Sequence, residues 1–137
     1  MAVTRFPNGI AAGGARSGAT SAGAIYALRL SFDPTSATQV LLGYVPAGAV
    51  PLDVLGYGGS TGGTNPTVDI GTAGDDDGIA NELDADATGT AAVSAAKNGV
   101  LVNTKFTATT AIYGKVGGSA ATGGTFSGVL LYTIEDL

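Results

Sequence analysis

The chain has 137 residues, a formal net charge of −5, only 12% charged residues and 23 glycines, and it contains neither cysteine nor histidine. This length fits a single domain with its own hydrophobic core. The acidic balance argues against nucleic acid as a partner, because phosphate binding needs a basic surface. The lack of cysteine and histidine excludes disulfides and thiolate zinc sites, and it removes the commonest general base.

Residues 1–24 differ from the rest of the chain. After the turn signal Phe6-Pro7-Asn8-Gly9, residues 9–24 are Gly, Ala, Ser or Thr except for Ile10 and Arg16. Such a stretch buries too little apolar surface to offset its own ordering entropy. We therefore expect a flexible, extended N-terminal arm over 1–24 and a single domain over 25–137.

Two interpretations of the arm stay open. It is either a disordered tail or a segment that becomes ordered along a neighbouring subunit, where small residues allow close backbone approach. Its two charges, Arg5 and Arg16, are both positive, whereas the remainder of the chain is acidic. This asymmetry suits an arm that reaches an acidic surface. The first residues lack the apolar run of a secretory signal, and no stretch approaches the ~18 apolar residues of a membrane helix, so we expect no membrane partner.

Alternating apolar residues predict an all-β domain. The clearest strand is 25–32, where Tyr26, Leu28, Leu30 and Phe32 share one face. Further strands are predicted over 38–45, 50–57, 67–71, 100–107, 110–116 and 125–134. The last of these is almost continuously apolar, which is typical of a covered central strand. Seven or eight strands at roughly ten-residue spacing predict an antiparallel β-sandwich that is jelly-roll-like.

The connections and faces of these strands can also be predicted. The Gly-rich stretch 58–65 is typical of a hairpin tip that joins strands 50–57 and 67–71. We expect Val40, Leu42 and Tyr44 to share one face of their strand.

The same period of two predicts which residues share a face in two further strands. In the next strand Val50, Leu52 and Val54 should share a face, and in strand 100–107 Val100, Val102, Thr104 and Phe106 should do so. Asp77 is expected to cap a short helical turn over 78–83, and 91–96 is expected to be a short helix or a weak strand.

One cluster of residues carries potential chemistry, namely Asp75-Asp76-Asp77-Gly78 with Glu82, Asp84 and Asp86. Clustered carboxylates are what calcium coordination requires. The match to a calcium loop is partial, because Ala73 stands where an acid belongs and Asp84 stands where a glutamate belongs. The weak calcium candidates are Asp75, Asp77, Glu82 and Asp84. A solvated acidic loop and a loop that meets basic partners are the alternatives.

The inventory of reactive groups argues against an enzyme. Paired carboxylates can hydrolyse glycosides, but the chain has no tryptophan and only five tyrosines to bind sugars. A nucleophilic triad of the usual kind cannot be assembled without histidine or cysteine. No GxGxxG motif opens a helix after a strand, so a nucleotide loop is not predicted. We expect no catalytic residue and no cofactor apart from the calcium alternative.

Several segments together resemble small structural proteins of tailed bacteriophages, in which a jelly-roll-like sandwich decorates or cements the head. The resemblance covers 44–137 and the opening residues. Its segments are Val3 to Gly9 (VTRFPNG), Tyr44 to Val50 (YVPAGAV), Val68 to Thr72 (VDIGT), an Asp-rich loop leading to Ala87 to Thr90 (ATGT), Ala111-Ile112-Tyr113 and Val129 to Tyr132 (VLLY).

The resemblance implies a partner and a location. It implies a protein that is made in the host cytoplasm, binds the major capsid protein on the capsid exterior as a homotrimer, and stabilises the shell. The residues expected to contact the capsid or a neighbouring subunit are Arg5, Phe6, Pro7, Ile10 and Arg16, and the Gly-rich tips 58–64 and 117–124 are further loop candidates for contact or display. The alternatives are a phage tail or fibre-attachment protein and a calcium-dependent carbohydrate-binding sandwich.

Overall fold

Nine antiparallel strands make up the ordered elements of the computed structural model, which describes residues 24–57, 59–85 and 99–135. The strands are β1 (Tyr26–Phe32), β2 (Val40–Val45), β3 (Ala49–Tyr57), β4 (Ser60–Thr61), β5 (Thr67–Gly71), β6 (Ala80–Asp84), β7 (Thr110–Val116), β8 (Gly123–Gly124) and β9 (Phe126–Ile134). In the described part of the chain, no helix has the length and apolar character needed to cross a membrane.

The strands form two facing sheets and a small third one. The first sheet has the order β1-β9-β3, the second has the order β2-β7-β5-β6, and β4 pairs with β8. The predicted all-β sandwich is therefore confirmed. The prediction that the last strand is central is also confirmed, because β9 lies between β1 and β3.

The core lies between the two larger sheets. Leu30, Val54 and Leu130 come from the three-stranded sheet, and Ile70 and Ile112 come from the four-stranded sheet; all are almost fully buried. The alternation predicted for the first strand holds, since Leu30 and Phe32 are buried while Arg29 and Ser31 are exposed. The sequence period of two thus places one face of each sheet in the core.

Two glycines make room for the aromatic pair of the core. The rings of Phe32 and Phe126 lie 5.8 Å apart and are tilted by 55°. A Cβ atom added to Gly56 would lie 2.5 Å from the Phe126 ring, and one added to Gly114 would lie 2.6 Å from the Phe32 ring. Glycine is required at these positions because the backbone passes directly against a ring.

The stretch 58–65 is not a hairpin tip, contrary to the sequence prediction. It carries the chain from β3 in one sheet to β5 in the other, and those two strands do not pair. The φ > 0 positions expected there are present at Gly62, Gly63 and Asn65. Glycine and asparagine tolerate this conformation in any tight turn, so composition alone does not separate a hairpin from a crossover between sheets.

The second Gly-rich stretch, 117–124, crosses back from β7 to β9 beside the first. The two crossover segments are joined by the β4–β8 pair, in which Ser60 lies opposite Gly124 and Thr61 opposite Gly123. Side chains add to this pairing, since the Gly118 N–H donates to Thr67 Oγ1 at 2.8 Å and the Ser119 hydroxyl donates to the Thr64 carbonyl at 2.7 Å. The crossovers therefore hold one end of the sandwich together.

Irregularities in two strands overturn the predicted faces. A register shift between Leu41 and Gly43 breaks the alternation of β2, so Tyr44 is exposed while Val40 and Leu42 pack on the core. A similar shift between Pro51 and Asp53 leaves Leu52 only half-buried. A β-bulge inserts one residue, and every later side chain in that strand then changes face.

Residues 78–83 do not form the predicted helical turn. Ala80–Asp84 is strand β6, which pairs with β5 through Thr67–Asp84, Val68–Leu83 and Ile70–Ala80. The spacing of apolar residues in this short stretch is compatible with a helical turn or with a strand. Pairing with β5 stabilises the strand.

Residues 100–107 are turns and irregular chain, so the predicted strand is also wrong. Val100 is 80% exposed, whereas Leu101 and Phe106 pack on the core. The segment nevertheless bonds to the edge of β3, since Asn103 N–H donates to the Pro51 carbonyl and Phe106 N–H to the Ala49 carbonyl. Asn103 has a φ of 67°, which interrupts an extended conformation. The predicted helix or strand at 91–96 lies outside the described residues.

A glycine substitution tests the packing of the core. We expect Gly114→Ala to lower the free energy of unfolding by about 1–3 kcal/mol, because the new methyl group overlaps the buried Phe32 ring. Gly74→Ala is the matched control, since a Cβ there has nothing within 4 Å, and its effect should stay within ~0.5 kcal/mol. Urea unfolding followed by circular dichroism measures both variants. Equal unfolding midpoints would contradict this account of the core.

Candidate protein-interaction surface

The outer face of the four-stranded sheet carries exposed apolar side chains. The bulge in β2 turns both Leu41 and Tyr44 outward, and they are 47% and 60% exposed. Their cross-strand partners on β7 are Tyr113 and Ala111, respectively. Because antiparallel partners share a face, these four residues form one surface, which we call the apolar patch.

The two sheets approach each other closely at the bulge. A Cβ atom added to Gly43 would lie 2.8 Å from Leu28 Cδ1 on β1. Gly43 therefore lets β2 run directly against the edge strand of the other sheet. On β5, which pairs with the other side of β7, Gly71 lies opposite Tyr113, and the backbone of Asp75 and Asp76 packs directly against Gly71.

Acidic residues border the apolar patch on the β5 side. Asp69 lies opposite Lys115 and is only 8% exposed, and its Oδ1 accepts the Glu82 N–H at 2.8 Å. Glu82 has a φ of 53°, so this hydrogen bond holds an unusual backbone conformation in β6. Burial raises the pKa of Asp69; the Glu82 N–H opposes that change, and the charges of Asp77, Asp76 and Glu82 add to it.

The turn before β6 holds three consecutive carboxylates. Asp76 forms an ion pair with Lys115 at 2.5 Å, and hydrogen bonding to Asp76 raises the pKa of that lysine. The pKa of Asp75 is raised by desolvation, by a side-chain hydrogen bond with Asp77 and by the neighbouring charges. We call Asp69, Asp75, Asp76, Asp77 and Glu82 the acidic group.

The four calcium candidates lie on two elements. Asp75 and Asp77 share a hydrogen bond in the turn, whereas Glu82 and Asp84 lie along β6. The Glu82 carboxylate faces Gly118 of a crossover segment, and Asp84 lies opposite Thr67. Among residues 24–57, 59–85 and 99–135, no group of three or more acidic side chains is placed to hold a metal ion.

A second exposed apolar cluster lies at the end of the sandwich opposite the crossovers. Tyr26 stacks on Tyr132 with ring centroids 5.7 Å apart, and Ile25 and Ile134 are largely exposed beside the ends of the same strands. The chain enters the sandwich here, since β1 begins at Tyr26. This end is therefore where the N-terminal segment joins the folded domain.

The contact residues expected from the sequence, Arg5, Phe6, Pro7, Ile10 and Arg16, lie outside the described residues. Both Gly-rich tips fall largely within the described chain and pair with each other. Their contact with other subunits stays a prediction.

Sequence reasoning missed the apolar patch, because regular alternation placed Tyr44 on the same face as Val40 and Leu42. The available signal was Gly43, since a glycine inside a strand pattern is typical of a bulge. The burial of Asp69 had no comparable signal. It depends on the position of Glu82, and residues 78–83 were predicted to be helical.

A solved structure has a fold similar to this one. The chain described as the cyanophage Pam1 capsid asymmetric unit aligns with a TM-score of 0.64 and 20% sequence identity, over 98% of this chain and 100% of that chain. At this identity the similarity establishes the fold. Comparison with protein-family models and with curated proteins gives no match.

Substitution of Asp69 tests its role in β6. Asp69→Asn keeps an oxygen that accepts the Glu82 N–H and removes a poorly solvated charge, so we expect stability at pH 7 at least equal to that of the wild type. Asp69→Ala leaves the Glu82 N–H without this acceptor and should cost about 1–3 kcal/mol. Denaturant unfolding of the three proteins measures the difference.

The pH dependence provides a second test. Because the pKa of Asp69 is raised in the folded state, its ionisation opposes folding, and stability falls as the pH rises above the ordinary value of 3.8. Any advantage of Asp69→Asn should therefore disappear as the pH is lowered to that value. A difference that grows on acidification would contradict this explanation.

Proposed function

We propose that this chain is a structural virion protein that decorates and stabilises a bacteriophage head through protein–protein contacts. The observation that carries the proposal is the similarity of fold, over nearly the whole chain, to a chain of the cyanophage Pam1 capsid asymmetric unit. The proposed partner is the major capsid protein, the proposed location is the capsid exterior, and the proposed assembly is a homotrimer.

The surface of the domain supports this proposal. Leu41 and Tyr44 expose apolar area on the outer face of the four-stranded sheet, and Ile25, Tyr26 and Ile134 expose more at one end. Exposed apolar area of this kind is typical of protein contact sites. The area buried in each contact would be modest. Repetition of the contact over a capsid would still give a large total stabilisation, because a subunit held at several points dissociates only when all of its contacts are broken.

Recovery from virions tests the proposal. We expect the chain to copurify with density-banded particles of the phage that encodes it, in a fixed ratio to the major capsid protein. Mass spectrometry of the banded particles measures that ratio. Expression in infected cells together with absence from the particles would overturn the proposal, and recovery only with isolated tails would favour the tail or fibre-attachment alternative.

Heat resistance of the particle tests the stabilising role. Heads that lack the chain should release DNA at a lower temperature or at lower ionic strength than complete heads, and added purified protein should restore their resistance. Equal release temperatures would argue against stabilisation.

For the carbohydrate-binding alternative, calcium should raise the melting temperature of the purified protein, and Asp75→Ala with Asp77→Ala should abolish that rise.

A further inference from the structure

We infer that the apolar patch on the outer face of the four-stranded sheet binds the N-terminal segment, residues 1–24, of a second copy of this chain. The inference rests on the proposed function and adds to it the surface that receives the arm. It concerns contact between copies, whereas the proposed function concerns contact with the shell.

The patch offers a defined apolar surface. Tyr44 with Ala111, and Leu41 with Tyr113, form two cross-strand pairs side by side on β2 and β7. The two large residues of β2 are the more exposed members, and the turn that holds Asp75 and Asp76 lies against Gly71, the residue opposite Tyr113. An extended segment laid across these strands would bury apolar side chains on both partners.

Charge complementarity identifies the occupant. The whole chain carries −5, and residues 1–24 carry +2 from Arg5 and Arg16 with no acidic residue, so residues 25–137 carry −7. The acidic group borders the patch along β5, where Lys115 is already paired with Asp76. Two copies of the domain repel each other, and a positively charged segment between them reduces that repulsion.

The composition of the segment matches both the apolar patch and the acidic group beside it. Phe6 and Ile10 are apolar side chains that fit the patch, and Arg5 and Arg16 are cations that fit the acidic border. The intervening Gly and Ala residues permit close approach to the face of the sheet.

The length of the segment permits contact with a neighbouring copy. It joins the domain at the start of β1, at Tyr26. Fully extended, residues 1–23 span up to roughly 75 Å, against roughly 15 Å for the width of a four-stranded sheet.

Disulfide trapping tests the inference on full-length protein, because the chain has no cysteine of its own. Ala11→Cys places a thiol in the arm, and Ala111→Cys places one in the patch without removing its large side chains. The control is Ala27→Cys, an exposed position on β1 in the other sheet. Variants are mixed in pairs, oxidised mildly, and the linked peptides are identified by mass spectrometry.

We expect the Ala11→Cys and Ala111→Cys pair to cross-link at least fivefold faster than the Ala11→Cys and Ala27→Cys pair. Adding Arg5→Glu and Arg16→Glu to the arm variant, or raising the salt concentration, should remove most of the difference. Equal rates for the two pairs would overturn the inference. So would a chain carrying both Ala11→Cys and Ala111→Cys that links only within itself.

Failure here is distinguishable from failure of the proposed function. If the full-length chain is recovered with phage heads and the arm does not link to the patch, this inference is overturned and the proposed function stands. If the chain is absent from the heads, the proposed function is overturned whatever the cross-linking shows.

Discussion

Two crossover segments, paired with each other at one end of the sandwich, connect two neighbouring strands of one sheet to two neighbouring strands of the other. One segment leads from β3 to β5 and the other from β7 to β9, and backbone hydrogen bonds join them through β4 and β8. Since β3 and β9 are neighbours in one sheet and β5 and β7 are neighbours in the other, the crossovers fix both pairs at once. The pairs in turn place the core residues between the sheets.

The opposite end and the outer face of the four-stranded sheet carry exposed apolar side chains. Single residues determine the conformation of these surfaces, since Gly43 lets the bulged strand lie close to β1 and Asp69 accepts the N–H of Glu82, which has a positive φ. The core itself is filled by Phe, Leu, Ile and Val side chains, and glycines give room to its two phenylalanine rings. Leu41 and Tyr44 lie outside this core and form the candidate interaction surface.

The sequence predicted the fold class and the strands with a clear period of two, including β1, β5, β7 and the central position of β9. It failed where the outcome depends on distant partners. Within residues 78–83 the chain forms strand β6 because it pairs with the edge of β5. Residues 100–107 form no strand, although two of their N–H groups donate to carbonyls of β3. The apolar patch was missed because a bulge reverses the faces of β2, and alternation alone cannot reveal an inserted residue.

Electron cryomicroscopy of intact heads, from a phage whose genome encodes the chain, tests the proposed role in decoration. We expect density for a sandwich of three and four strands on the outer surface of the shell, with contacts between copies at the apolar patch of β2 and β7. A shell whose density is fully explained by other proteins, with no such sandwich on its exterior, would overturn the proposed role.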